Sequence, residues 1–254
     1  MNTYQQAVEA FLSANRYERI ELKAMLFDMD GVLYDSMPNH AVAWSETMKR
    51  HGLYLSEQEV YLHEGRTGDS TIELVCRRQG TSVSSEEIQA IYREKTEAFN
   101  ACPPVRPMPG SYELLQKVVR DGLTPMIVTG SGQASLFERL NTHFPNIFAR
   151  ERMVTASDVK RGKPDPEPYL MALEKGGLQP WEAFVVENAP LGVEAAHAAG
   201  IFTIAVNTGP LPDSLLLDAG ADILLSGMPS LCDEWEKVRE AGRYVSSNGH
   251  RTND

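Results

Sequence analysis

Apolar residues follow two rhythms along this chain. From residue 110 onward, short and nearly continuous apolar runs alternate with longer amphipathic stretches. The runs lie at 123–129, 153–155, 183–186, 201–206 and 223–225. The stretches between them, near 110–121, 133–141, 166–176 and 190–199, carry apolar residues at helical spacing. An earlier run, Leu22 with Ala24, Met25, Leu26 and Phe27, has the same character and stops at Asp28. Short runs that are apolar on both faces suit strands of a parallel sheet buried under helices. Their alternation with helices predicts an α/β fold.

Residues 38–100 keep a different rhythm. Pro38 can open a helix that closes before Gly52. Ser56 with Glu59, and Ser84 with Glu87, have the spacing of capping boxes. Ile72, Val75 and Cys76, then Ile88, Ile91 and Tyr92, recur at helical spacing, and no strand pattern intervenes. This predicts a small helical insert, closed by Pro103, Pro104, Pro107 and Pro109. Val8, Phe11 and Leu12 predict a further amphipathic helix near the start. The chain divides accordingly into an extension (1–21), an α/β core (22–37 and 105–242), a helical insert (38–104) and a polar tail (243–254). Linkers near 34–38 and 102–109 would let the insert open and close on the core.

Charge and cysteines narrow the partners. The 254 residues carry 24 Lys and Arg against 35 Asp and Glu, a formal net charge of −11. That sign repels phosphate backbones and anionic lipid surfaces, so neither nucleic acid nor a membrane is the expected partner. Cys76, Cys102 and Cys232 are too far apart for a CxxC knuckle, and their odd number suits a reducing cytosol. No apolar run approaches the roughly 18 residues of a spanning helix, and the first residues lack the pattern of a secretory leader. A cytoplasmic protein, monomeric or a small homo-oligomer, is expected.

In open α/β sheets, ligands bind beyond the carboxyl ends of the strands. The first run is followed by Asp28-Met29-Asp30-Gly31, the next by Thr129-Gly130-Ser131-Gly132, and the run at 183–186 by Glu187-Asn188. Gly162-Lys163-Pro164 precedes a helix. Each has an ordinary explanation: a turn-forming Asp, a helix cap, a surface lysine. Together they offer three carboxylates, an amide, hydroxyls and an ammonium. Crowded carboxylates need a proton or a cation, and Mg²⁺ prefers such oxygen ligands. A strand ending in Thr-Gly-Ser-Gly before a helix offers main-chain N–H groups to an anion.

These segments resemble the four signatures of the haloacid dehalogenase superfamily: Phe27-Asp28-Met29-Asp30-Gly31-Val32-Leu33, then Thr129, then Lys163 in Gly-Lys-Pro-Asp-Pro, then Glu187-Asn188. The insert resembles the helical cap of the β-phosphoglucomutase-like branch. The resemblance implies a Rossmann-like parallel sheet with helices on both faces, plus an all-helical cap. It also implies a mechanism. Asp28 would be the nucleophile that becomes phosphorylated, and Asp30 the general acid and base. Mg²⁺ would be held by Asp28, the Asp30 main-chain carbonyl and Asn188, with Glu187 behind a metal-bound water. Thr129, Gly130 and Ser131 would bind the phosphoryl group, and Lys163 would orient Asp28. The branch usually has Asp where this chain has Asn188, which weakens the metal site unless another carboxylate or a highly charged substrate compensates.

The cap is expected to choose the substrate. His40 and Trp44 share one face of its first helix. The resemblance implies that Arg66 and Lys95 hold a distal phosphate and that His40 assists Asp30. Packing for His40, and a solvated face for Lys95 beside Glu94, are the alternatives. Glu64, in His63-Glu64-Gly65-Arg66-Thr67-Gly68, is out of place against a phosphate unless a cation stands between them; a surface pair with Arg66 is its other explanation. With Asn188, that segment resembles the inorganic pyrophosphatases of this branch. The expectation is a Mg²⁺-dependent phosphohydrolase acting on a small phosphorylated metabolite, pyrophosphate first. A β-phosphoglucomutase or a sugar-phosphate phosphatase is the alternative. Dehalogenation needs neither the metal residues nor Asp30, and a silent scaffold would not need the full set.

Overall fold

The computed structural model describes residues 3–132 and 136–244. Six strands form a single sheet: β1 (Ala24–Phe27), β2 (Thr124–Val128), β3 (Met153–Val154), β4 (Ala183–Glu187), β5 (Phe202–Val206) and β6 (Ile223–Leu225). All pairings are parallel, in the order β3-β2-β1-β4-β5-β6. The predicted α/β fold with a parallel sheet is therefore present.

Successive side chains of each strand enter opposite cores. Met25, Phe27, Ile127, Phe184 and Val186 face one cluster, which is covered by α6 (Ser111–Arg120), α7 (Leu136–His143), α11 (Met228–Asp233) and α12 (Trp235–Ala241). Ala24, Leu26, Met126, Val128, Ala183 and Val185 face the other, covered by α8 (Glu167–Gly176) and α9 (Pro190–Ala198). Burial on both faces is why the strands read as unbroken apolar runs. The helix expected near 133–141 is α7, and residues 133–135 lie outside the described residues.

Between β1 and α6 the chain forms four helices and no strand: α2 (Met37–Arg50), α3 (Glu57–Leu62), α4 (Gly68–Arg78) and α5 (Ser85–Ala101). Both capping boxes form, at Ser56–Glu59 and Ser84–Glu87. These helices bury a core of their own, including Trp44, Met48, Ile72, Val75, Ile88 and Ile91. Two strands of backbone join them to the sheet and run side by side. Asp35 N donates to Arg106 O at 3.0 Å, and Met108 N donates to Leu33 O at 2.8 Å.

The amphipathic helix expected near the start is present, and it packs on the sheet. The residues read as an extension contain α1 (Thr3–Asn15), whose Tyr4, Val8, Phe11 and Leu12 belong to the sheet's own core. Phe11 meets Phe202 edge-on, with ring centroids 5.5 Å apart. Tyr244, read from sequence as part of the polar tail, packs on that core and its carbonyl accepts from Ile20 N at 2.9 Å; the rest of that tail lies outside the described residues. Also unforeseen were α10 (Asp213–Asp218), α11 and α12, short helices with little periodicity to read. Among the described residues no helix is long and apolar enough to cross a membrane.

Candidate active site

Strands β2, β1 and β4 are neighbours where the strand order reverses, the place where such sheets bind ligands. Phe27 is level with Ile127 and Val186. Asp28, Thr129 and Glu187 therefore leave the sheet close together. Gly31 makes the turn after Asp30 with φ +79°, and a Cβ there would come within 2.1 Å of the Asn188 amide. That glycine is what allows Asn188 to reach the turn.

Lys163 enters from the loop before α8 and is completely buried. Its Nζ donates to Asp28 Oδ1 at 2.5 Å, Glu187 Oε1 at 2.5 Å and Val128 O at 3.0 Å. Three ammonium protons thus meet three acceptors. Burial alone would lower its pKa, but the charges of Asp28 and Glu187 outweigh it and hold the ammonium above the ordinary lysine range.

Asp30 is gripped by Ser36, at the entrance to the insert, and by His40 on the insert's first helix. Ser36 Oγ donates to Asp30 Oδ1 at 2.5 Å, and His40 Nε2 lies 3.3 Å from the same oxygen. Lys95 Nζ donates to His40 Nδ1 at 2.8 Å. An ammonium can only donate, so the imidazole proton sits on Nε2 and points at Asp30. Burial would raise the Asp30 pKa, but His40, Ser36 and Arg139 together hold it well below the usual carboxylate range. His40 is lowered by burial and by Lys95.

Glu64 reaches down from the insert. Its Oε2 accepts from Asn188 Nδ2 at 3.0 Å, while Glu64 Oε1 and Asn188 Oδ1 are buried without a donor. Burial, then Asp28, Glu187 and Asp30, push Glu64 well above the usual carboxylate range. Asp28 is raised for related reasons, burial foremost, with Lys163 opposing. Among the described residues, four carboxylates meet here with only one ammonium bonded directly to any of them, and two acceptor oxygens have no donor. That chemistry fits a hard divalent cation. Among the described residues no three acidic, His or Cys side chains form a ready-made cage. The residues that could hold Mg²⁺ are instead a mixed oxygen set, namely Asp28, the Asp30 carbonyl, Asn188 Oδ1 and, from above, Glu64 Oε1.

One pocket gathers most of the expected residues: Asp28, Asp30, His40, Glu64, Arg66, Lys95, Thr129, Gly130 and Ser131 all line it. Lys163, Glu187 and Asn188 stand behind its floor. Thr129 N donates to Val154 O at 2.9 Å, and Ser131 N donates to Thr129 Oγ1 at 3.1 Å. The loop carrying Glu64 lies directly on the core. A Cβ on Gly130 would come within 2.7 Å of Gly65 O. Arg66 is partly buried at the rim, its Nε without a partner. Of the ordinary explanations of the cap residues, packing does apply to His40, whose ring stacks on Phe99 with centroids 4.2 Å apart, but the other two fail. Lys95 is 4 % exposed rather than solvated, and Glu64 bonds Asn188 rather than Arg66.

Sequence reasoning missed several residues. Met37, Leu55, Val60 and Tyr92 join Trp44 as an apolar wall of the pocket. Their spacing marks them only as helix core. Ser36 looks like an ordinary residue before a helix, and Tyr169, which bonds Glu187, reads as the apolar face of α8.

Comparison with known proteins agrees with this geometry. Residues 25–206 match the family model described as haloacid dehalogenase-like hydrolase. Hexitol phosphatase A of Escherichia coli (strain K12) is 36% identical over 185 residues, covering 73% of this chain and 83% of that protein. Fructose-1-phosphate phosphatase YqaB of the same organism is 32% identical over 198 residues, covering 75% and 98%. A solved structure named "Putative beta-phosphoglucomutase from Bacteroides vulgatus" superposes with a TM-score of 0.92 at 57% identity, covering 95% of this chain and 99% of that one.

Proposed function

Because the chain belongs to the haloacid dehalogenase-like hydrolase family, we propose that it is a phosphatase of a small phosphorylated carbohydrate. The observation that carries this reading is the wall of Met37, Trp44, Leu55, Val60 and Tyr92 opposite Asp28 and Asp30. Aromatic and aliphatic faces suit the carbon skeleton of a sugar or sugar alcohol. A purely inorganic leaving group has no carbon to offer them. The relatives named above act on phosphorylated carbohydrates, according to their names. That shifts the preferred substrate away from the pyrophosphate expected from sequence.

In this reading an Asp28 oxygen attacks phosphorus, forming the aspartyl O–P bond as the bond to the sugar oxygen breaks. Asp30 gives that oxygen its proton. The arriving phosphate adds negative charge beside Asp30 and raises its affinity for the proton it must carry. Asp30 then takes a proton from water as the water displaces Asp28 from phosphorus, releasing inorganic phosphate. Lys163 keeps Asp28 placed and offsets charge on the phosphoryl oxygens, helped by the Gly130 N–H and by the Thr129 hydroxyl, which the Ser131 N–H orients. A Mg²⁺ ion at the mixed oxygen set would supply further charge neutralisation there.

Glu64 favours a second reading. A buried carboxylate hydrogen-bonded to Asn188 restores the negative charge that Asn188 lacks at the cation. Two linked phosphates would gain most from that extra cation-binding charge, which supports pyrophosphate. Phosphate release with Mg²⁺ across hexitol phosphates, fructose 1-phosphate, β-glucose 1-phosphate and pyrophosphate separates the readings, with Asp28→Asn as the blank. Carbohydrate esters turning over at least tenfold faster than pyrophosphate would support the first. The reverse order would install the second. Release from none of them, with isomerisation of β-glucose 1-phosphate when primed by the bisphosphate, would replace both with a mutase.

A further inference from the structure

Glu187 is fully occupied by the protein itself. Its Oε1 accepts from Lys163 Nζ at 2.5 Å and from Tyr169 Oη at 2.7 Å. Its Oε2 accepts from Asn188 N at 3.1 Å and from Ala189 N at 3.4 Å. A carboxylate offers about four lone-pair sites, and all four are taken. Nor can it turn away. A Cβ on Gly192 of α9 would stand 1.9 Å from Glu187 Oε1, so the helix backbone closes the space behind. The Tyr169 side chain is completely buried on α8, and its phenol is pushed well above 10, burial first, so it serves as a donor.

We infer that Tyr169 and Glu187 form a positioning pair for Lys163, and that Glu187, its acceptor positions filled by the protein, holds neither the cation nor a water bound to it. This rests on the aspartyl-phosphatase reading, and it departs from the sequence expectation that Glu187 holds a metal-bound water. Lys163 is suspended between two carboxylates. The Tyr169 hydroxyl satisfies part of Glu187, which limits how strongly Glu187 draws the ammonium from Asp28. Without that hydroxyl, Glu187 Oε1 has Lys163 as its one remaining partner. The ammonium moves toward Glu187, and the nucleophile loses the charge that places it.

The test is Tyr169→Phe, which removes one oxygen and keeps the ring. Three quantities are read: steady-state kinetics on the best phosphoester with Mg²⁺, Mn²⁺ affinity of the substrate-free protein by electron paramagnetic resonance, and the ¹H–¹⁵N signal of the Lys163 ammonium. A hydrogen bond to a charged group implies a fall in kcat of about ten- to hundred-fold. KM and Mn²⁺ affinity should stay within about twofold, and the ammonium signal should move. Asn188→Ala is the contrast, expected to weaken Mn²⁺ by about tenfold or more. If Tyr169→Phe fails to fold, Glu187→Gln takes its place: it removes the ammonium's second anchor, so the Lys163 signal should move in the opposite sense, toward Asp28, while kcat falls and Mn²⁺ affinity stays within about twofold. Mn²⁺ affinity falling in step with kcat would overturn the inference by placing Glu187 at the cation. So would an unmoved ammonium signal with unchanged kcat and only a lower melting temperature. If the wild type hydrolyses no phosphoester, the phosphatase reading fails, while the Mn²⁺ and ammonium measurements still decide this one.

Discussion

Two buried lysines, one lining the pocket and one behind its floor, work under different regimes. Below, Lys163 is held by two carboxylates and a carbonyl, and its ammonium is kept above the ordinary range. Above, Lys95 has a histidine nitrogen at 2.8 Å and the rings of Trp44 and Phe99 at 5.0 and 5.3 Å. Burial drags that lysine down to about 8. The lower lysine is a fixed charge whose three acceptors all belong to the core. The upper one is poorly compensated, so its charge responds to pH and to whatever anion enters. The core therefore supplies constant chemistry, and the insert supplies an adjustable environment for Asp30 and the substrate.

The comparison is broken first at the floor. Asp28→Asn should cut phosphate release by on the order of 10⁴-fold or more, since removing the nucleophile of a catalytic unit forfeits most of its rate. Retention of a tenth of the activity would mean that the reaction does not pass through Asp28. Glu64→Gln addresses the place where roof meets floor. It keeps the shape and removes the charge, and the Mg²⁺ concentration for half-maximal rate should rise about tenfold. An unchanged Mg²⁺ requirement would show that Glu64 does not serve the cation. The smallest effect concerns Lys95 and is a matter of stability. Its folded pKa, about 8, lies below the ordinary value of 10.5. Between those limits the folded chain binds fewer protons than the unfolded one, so this group makes stability rise with pH across that window. Lys95→Met should be the more stable protein at pH 7, and its advantage should shrink as the pH approaches 10. An advantage independent of pH in thermal melts would contradict this assignment.

Much of the floor could be read from sequence, because Asp28, Thr129 and Glu187 each stand at the end of an apolar run, while Lys163 was legible only from its Gly-Lys-Pro setting before a helix. Strand order then brings Asp28, Thr129 and Glu187 together without further information. The roof was harder. Arg66 and Glu64 lie in a loop whose neighbours are set by how the insert rests on the core. Nothing in the local pattern indicates that Gly65 and Gly130 touch. Tyr92 and Tyr169 occupy helix positions that serve packing and chemistry equally well, so periodicity cannot separate the two uses. The amphipathic start of α1 was visible. Its burial depends on Phe202, nearly two hundred positions away, and no short-range signal carries that.

The junction of the chain ends has a consequence for how the molecule can be rebuilt. Ile20 and Leu22 hydrogen-bond to the carbonyls of Tyr244 and Gly242, and the Tyr244 hydroxyl reaches Glu9 on α1. This seam lies at the end of the sheet remote from the pocket. A short flexible link there could close the chain into a ring, and new ends could be opened at the exposed turn around Gly80 between α4 and α5. In such a permuted enzyme, the insert's last helix and the whole sheet would be translated before the residues that seat Asp30. Order of synthesis and order of assembly could then be varied independently of the chemistry.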